Sequence, residues 1–364
     1  MSSKVDIYAY YLPQFHETQE NNIWWGKGFT EWENVRNSHK LFEDHDQPRI
    51  PLDHKYYDLS TIEDIKHQAE LAKEYGIKGF SIYHYWSEGV QLLQKPIEII
   101  RENKDIPINF HLTWANHPWT RSWKNNTGFK NEILFRQTYE KHPEERIKHY
   151  RYIANLMKDE RYSLLKDKPI FSVYRPYDIP NCIEYFEGLR EFISRELGLD
   201  IHINSMIQYP PKELNFLEVV DSVSLFQPGT AIFNADALSN SETSLRNLLI
   251  NLRSRLINSS ESLRSLLNIF KPKKLKKYKY DDMWEIILKQ SKEDFYLGKP
   301  VIRGAFTDWD NTARYKEEAT IFLNASPSKF YKYMTKLKEI ILESSTSENI
   351  LYINAWNEWG ECAY

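Results

Sequence analysis

The sequence predicts a (β/α)8 barrel, and three observations predict it. Eight short apolar runs bounded by turn residues recur along 364 residues. Segments of helical periodicity lie between them, and the residues just after each run are rich in tryptophan, tyrosine and polar side chains. Strand followed by helix, repeated, calls for a parallel sheet, because parallel neighbours need a long crossover; eight repeats are enough to close it. One α/β barrel can reach this length, so 1–364 reads as a single domain with an insertion at about 230–280.

The elements follow in order. The first strand is read at Val5–Tyr11, and the helix after it in "STIEDIKHQAELAKEYG", with Ser60 as N-cap, Glu63 three residues on and Gly76 closing it. Strand two is Gly79–Tyr85 with a helix at 91–104, strand three Ile108–Trp114 with a helix at 142–158, and strand four Pro169–Tyr174 with a helix at 181–197. Strand five, Ile201–Ile207, is followed by a short helix near 211–218; strand six is Ser222–Phe226. A helix at 281–294 leads to strand seven, Pro300–Phe306, and a helix at 328–343 leads to strand eight, Ile350–Ala355. Only "WNEWGECAY" comes after, which leaves no length for a final helix: either the chain is shortened or strand eight keeps an uncovered apolar seam.

Between strands six and seven, residues 241–279 hold ten Lys or Arg against two acids, Glu242 and Glu261. Leu245, Leu248, Leu249, Leu252 and Leu256, then Leu263, Leu266, Leu267 and Phe270, form helical apolar stripes, so a basic helical hairpin is expected. Such a pair fits peripheral contact with an anionic membrane surface, or a solvated excursion packed on the barrel.

Composition excludes several classes. A net charge of −3 gives no basic field for nucleic acid. Two distant cysteines, Cys182 and Cys362, support neither a disulfide framework nor a zinc site, and no P-loop or Gly-rich dinucleotide fingerprint occurs, so neither metal nor cofactor is expected. No leader pattern and no apolar run of membrane-spanning length is present; the expectation is a cytoplasmic protein, at the inner-membrane periphery if the basic hairpin docks there. Aromatic residues reach 15%, with 11 Trp and 24 Tyr clustered among polar neighbours, as on a surface that binds flat faces carrying hydroxyls.

In a barrel of this kind the strand C-termini and the loops after them form the active face. The candidates there are Tyr11, His16, Trp25 and Glu31 after strand one; His84, Tyr85 and Trp86 at strand two; Trp114 and Asn116 at strand three; then Tyr174, Gln208, Asp308 and Trp309; and Asn357, Glu358 and Glu361 after strand eight. Glycosidic bond cleavage uses two carboxyl groups, one protonated for the leaving oxygen and one ionised. Glu358 and Glu361 suit it, flanked by Trp356 and Trp359, whose low dielectric would raise their proton affinity. Two glutamates after a strand are equally often just solvated, and the barrel rim is what favours the catalytic reading. His16 and His84 read as sugar contacts or as core histidines. Glu31, Glu88 and Asp308 read as catalytic aids or as cap and salt-bridge residues.

The segments "YYLPQFHETQENNIWWGKGFTEWENV", "GIKGFSIYHYW", "HLTWANHPWTRSW" and "INAWNEWGE" resemble the WbsX-like proteins, which are similar to glycoside hydrolase family 99 and are often labelled glycosyltransferases of surface-polysaccharide gene clusters. That family consists of retaining endo-α-mannosidases on a (β/α)8 barrel. The resemblance implies that Glu358 is the base drawing the proton from the sugar 2-hydroxyl, whose oxygen attacks the anomeric carbon through an epoxide-like intermediate, with Glu361 as acid/base on the leaving oxygen. The sequence departs from the pattern at Cys362, where glycine is usual, and lacks the Leu-Glu-Pro segment and final helix. The expected function is a carbohydrate-active enzyme of bacterial O-antigen or capsule metabolism acting on an oligosaccharide or polysaccharide. The alternatives are a donor-dependent glycosyltransferase, with Arg121, Arg175, Arg303 and Arg314 as diphosphate contacts, or a non-catalytic glycan-binding barrel.

Overall fold

The computed structural model describes residues 4–121, 132–139, 143–211, 213–241, 275–344 and 349–364. Eight parallel strands close on themselves: β1 (Asp6–Tyr11), β2 (Gly79–Ser87), β3 (Asn109–Trp114), β4 (Lys168–Val173), β5 (His202–Ile207), β6 (Ser222–Leu225), β7 (Lys299–Phe306) and β8 (Ile350–Asn354). Each pairs with the next, and closure is made by β1, where Tyr8 faces Tyr352 of β8 on one side and Gly79 of β2 on the other. This is the (β/α)8 barrel, with each strand within a residue or two of its expected span.

The crossovers are α1 (Ile62–Glu74), α2 (Lys95–Glu102), α3 (Pro143–Met157), α4 (Cys182–Leu197), α5 (Gly229–Ser241), α6 (Tyr280–Gln290) and α7 (Pro327–Glu343). Between β5 and β6, among the described residues, only a 3-10 turn, Asn215–Glu218, forms. The α1 cap shifts by one residue from expectation. Thr61, not Ser60, accepts from the Asp64 amide, while Ser60 donates its own amide to Asp58; the helix then buries Ile65, Ala69 and Ala72 along one stripe. In α7, Ser326 caps Lys329, Pro327 occupies the first turn, and Tyr333, Leu337 and Ile341 form the buried stripe at intervals of four.

The end of the barrel differs from the sequence reading in one respect. Only a 3-10 turn, Trp359–Glu361, follows β8 within residues 355–364, yet the outward side chains Leu351 and Ile353 of β8 are buried in one cluster with Leu337 and Ile341 of α7. The α7 stripe thus shares a cluster with the outer face of β8, and Ile7 and Ile77 are among the half-buried side chains packed against it. The expected basic hairpin falls on 242–274, outside the described residues. The last basic residues, Lys276–Lys279, form a strand paired in parallel with Thr320–Leu323. Among the described residues no helix is long and apolar enough to cross a membrane.

Inside the barrel, Tyr8, Tyr10, Met206, Ile302 and Tyr352 fill the axis. A hydrogen-bonded belt lies among them: Asn204 donates to Ser172 and Ser224, His202 meets Ser222 at 2.8 Å, and the Tyr352 hydroxyl meets His111 at 3.0 Å. Polar side chains this deep are tolerable because they satisfy one another. Burial pushes His111 down to about 3, so its ring is neutral.

Candidate active site

Side chains of a strand alternate between the barrel interior and the surrounding helices. At the end of β2 this places Tyr83 and Tyr85 on the cavity wall and sends His84 and Trp86 outward. His84 Nε2 lies 2.9 Å from Nε2 of His149 on α3, whose ring stacks on Trp86 at a centroid distance of 4.7 Å. Trp114 faces the same way and donates its indole N–H to the Trp86 carbonyl at 3.1 Å. His84, Trp86 and Trp114, read from the sequence as substrate contacts, are thus packing between barrel and helix. Burial pushes His84 down to about 3, the state of a core histidine.

Five other candidates also lie outside the cavity. Tyr11 points outward and stacks on Phe80. His16 is buried in the first loop, where desolvation lowers its proton affinity. Asn116 brackets Arg175, donating to its carbonyl at 2.7 Å and accepting from its amide at 2.8 Å. Asn357 does the same to Leu12, at 2.9 and 2.7 Å, and so fastens the end of β8 to the end of β1 one residue before Glu358. Asp308 pairs with Arg49 at 2.8 Å and lines a neighbouring cavity of about 700 Å³. That space is the larger, but it lacks the carboxylate pair.

The smaller cavity, about 450 Å³, opens at the C-terminal end of the strands. Glu358 and Glu361 line it together with Trp25, Tyr85, Tyr174, Gln208 and Trp309 from the sequence-derived set. Tyr83, His117 and Tyr315 line it too, and were missed as cavity residues; Arg314, singled out only as a diphosphate contact, lines it as well. The parity of β2 was the available signal for Tyr83. Nothing local marks Arg314, which lies in a one-turn helix, Thr312–Tyr315, after β7.

Arg314 is the centre of the arrangement. Its Nε donates to Glu31 Oε1 at 2.8 Å, its Nη2 to Glu358 Oε2 at 2.9 Å, and its Nη1 lies 2.8 Å from Glu361 Oε1. Three carboxylates therefore share one guanidinium, and Glu31 is wholly buried behind it. Glu361 sits in the 3-10 turn Trp359–Glu361, held by the Asp310 amide donating to its carbonyl at 2.8 Å. Gly360 in that turn has no room for a side chain, since a Cβ there would stand 2.2 Å from Glu31 Oε1. Cys362 closes the turn at φ 54°, a left-handed conformation that explains why glycine suits this position.

Burial raises the proton affinity of both Glu358 and Glu361, Arg314 opposes the shift, and Glu31 adds to it. Two interacting acids in one pocket titrate as a pair. The arrangement keeps a proton on that pair well above the usual carboxylate range, while Arg314 remains charged. The phenols of Tyr83 and Tyr85, also raised by burial, stay protonated and face the same charges.

The chain belongs to the family described as glycosyltransferase WbsX, whose model matches residues 7–364. Two curated relatives from Xanthomonas campestris pv. campestris, both named uncharacterized protein WxcX, are 32% identical (strain B100) and 30% identical (strain ATCC 33913) over 98% of this chain. The chain spans 46% of their length, about half. Among solved structures, a glycoside hydrolase-like protein superposes with a TM-score of 0.57 at 12% identity, covering all of this chain and 86% of the other. The family 99 endo-α-mannosidase of Bacteroides thetaiotaomicron superposes with a TM-score of 0.50 at 12% identity, covering all of this chain and 87% of that one. At that identity the likeness is one of fold.

Proposed function

We propose that this WbsX-family chain cleaves or transfers a glycosidic bond in a bacterial surface polysaccharide, with Glu358 and Glu361 as its working carboxyls. The observation that carries the reading is the Arg314 clamp: two cavity-lining acids held on neighbouring nitrogens of one guanidinium, with a third acid behind them. Acid–base cleavage needs one carboxyl protonated and the other ionised at the same pH. Burial and mutual repulsion supply the proton, and Arg314 stabilises the remaining charge. Trp25, Tyr85 and Trp309 offer faces for sugar C–H surfaces; Gln208 offers an amide for hydroxyls.

The roles follow the family resemblance. Glu358 takes the proton of the 2-hydroxyl, the 2-oxygen bonds to the anomeric carbon as the glycosidic C–O bond breaks, and Glu361 gives its proton to the departing oxygen. Water, or an acceptor hydroxyl in a transfer, then opens the three-membered ring, losing its proton to Glu361 while Glu358 returns one to the 2-oxygen. An inner carboxylate clamped by a cation is suited to receive a proton late, when the 2-oxygen is already committed to bonding.

A nucleotide-sugar donor would need cations for its diphosphate, and the four arginines singled out for that work are engaged. Arg314 holds three acids, Arg303 is buried against Asp294, Arg121 pairs with Glu132 at 2.6 Å, and Arg175 lies 3.7 Å from Asp178. The test is to incubate the protein with the surface polysaccharide of its source, with and without nucleotide sugars, and to analyse the products. New reducing ends or re-linked chains without a donor, abolished in Glu361→Gln with binding retained, support the reading; turnover that requires a donor overturns it in favour of a glycosyltransferase. Glycan binding without turnover would mark a binding barrel.

A further inference from the structure

We infer that Asp310, outside the cavity, is the positioning residue that sets the distance between Arg314 and Glu361; the inference rests on the carboxyl-pair reading above. Asp310 follows β7 and is 2% exposed. Its Oδ2 accepts from His45 Nε2 and from Gln47 Nε2, both at 2.7 Å, and its Oδ1 accepts from the Thr312 amide at 2.9 Å and from the Thr312 hydroxyl. His45 Nδ1 accepts from the Leu41 amide at 3.0 Å, so Nε2 carries the proton that goes to Asp310. All the acceptor capacity of a buried carboxylate is taken up by two stretches of chain, His45 with Gln47 and Thr312.

The consequence is mechanical. Thr312 begins the one-turn helix that carries Arg314 two residues later, and the Asp310 amide holds the carbonyl of Glu361 at 2.8 Å. One residue therefore fastens both partners of the 2.8 Å contact between Arg314 and Glu361. Gln47 extends the same bracket, since its Nε2 also lies 3.2 Å from Cys362 Sγ, next to Glu361. A four-residue helix has too few internal bonds to hold an arginine in place by itself, and the catalytic turn is equally short. Their relative position has to come from outside, and Asp310 is the group that touches both.

Asp310→Asn keeps the size but turns one oxygen into a donor that must face either the His45–Gln47 pair or the Thr312 pair, donor against donor. Arg314 is the group that lowers the proton affinity of Glu358 and Glu361; Glu31 raises it, the protonated phenols of Tyr57, Tyr83, Tyr85, Tyr209 and Tyr315 face the pair, and His117, kept neutral by burial, lines the same cavity. When Arg314 or the Glu361 turn drifts, the pair holds its protons more tightly. The experiment is a pH titration of protein labelled with 13C at the glutamate side-chain carboxyls, the two signals being assigned by their loss in Glu358→Gln and Glu361→Gln. The expected result is an upward move of the joint titration by about half a unit or more in Asp310→Asn, and a smaller upward move in Thr312→Val, which removes a single donor. Midpoints that superimpose on the wild type in a folded Asp310→Asn protein would reduce Asp310 to a stability role; if that variant does not fold, superimposed midpoints in Thr312→Val overturn the inference by themselves. No turnover is needed, so a failure to cleave glycan would count against the proposed function and leave this measurement unaffected.

Discussion

Replacing Arg314 by methionine should make folding stability depend on pH in a direction fixed by the geometry. The guanidinium meets three carboxylates at 2.8, 2.9 and 2.8 Å. At an effective dielectric constant near 20, each contact has a Coulomb energy of about 6 kcal/mol. Most of that is returned by the desolvation no longer incurred, and the net cost of breaking a buried charge set is about 3–5 kcal/mol, a fall in Tm of about 4–7 °C for a chain of this size. Without the cation, Glu358 and Glu361, already raised by burial, hold protons more tightly still. The native state then binds more protons than the unfolded one from the ordinary carboxylate value upward, so stability present below that value is lost as pH rises. Unfolding in denaturant at pH 5.5 and pH 8.0 tests this: the deficit of Arg314→Met relative to wild type should be clearly larger at pH 8.0. An equal deficit at both, or none, would mean that the three carboxylates do not depend on Arg314.

Gly360→Ala places a methyl 2.2 Å from Glu31 Oε1 and 2.8 Å from Arg314 Nε, atoms held in the clamp and unable to yield, so a loss of about 1–3 kcal/mol by thermal melt and loss of glycan turnover are expected. Tyr83→Ala and His84→Ala, neighbours in sequence, should separate: the first weakens glycan binding in calorimetry, while the second lowers Tm and leaves glycan affinity unchanged, and the opposite pattern would reverse the assignment of faces on β2. Asn357→Ala removes both bonds to Leu12, a cost of about 1–3 kcal/mol; since it frees the turn beside Glu358 without touching the cavity, kcat should fall with little change in KM.

The barrel was legible because its signal is periodic. Apolar runs of strand length, separated by helix-period segments, define the order of elements without any long-range information, and even the first cap, read at Ser60, lies one residue from its true place at Thr61. The pair Glu358 and Glu361 was legible through position, three residues apart beyond the last strand. The wall was harder: of the run Tyr83 to Trp86, only alternate residues can face the cavity, and treating His84, Tyr85 and Trp86 as one cluster overlooked this. Other misreadings have the same cause, that a polar residue near a strand end serves the fold as readily as a ligand. Asn116 and Asn357 spend both sides of their amides on backbone, and Asp308 is held by Arg49. Arg314 carried no local sign, because its meaning depends on residues up to 283 positions away.

That separation shows what the closed barrel contributes. Glu31 comes from the chain after β1, Glu358 and Glu361 follow β8, and Arg314 follows β7. In the sheet these are consecutive neighbours, since β1 pairs with β8 and β8 with β7. The pairing of first strand with last brings Glu31 behind the guanidinium, and Asn357 locks that junction through Leu12. An open sheet with the same loops would leave Arg314 with Glu358 and Glu361 alone, one negative neighbour fewer and so a weaker hold on the extra proton. The third acid, delivered by closure, raises the affinity of the other two for that proton. Completion of the fold and assembly of the clamped carboxyl set are thus the same event.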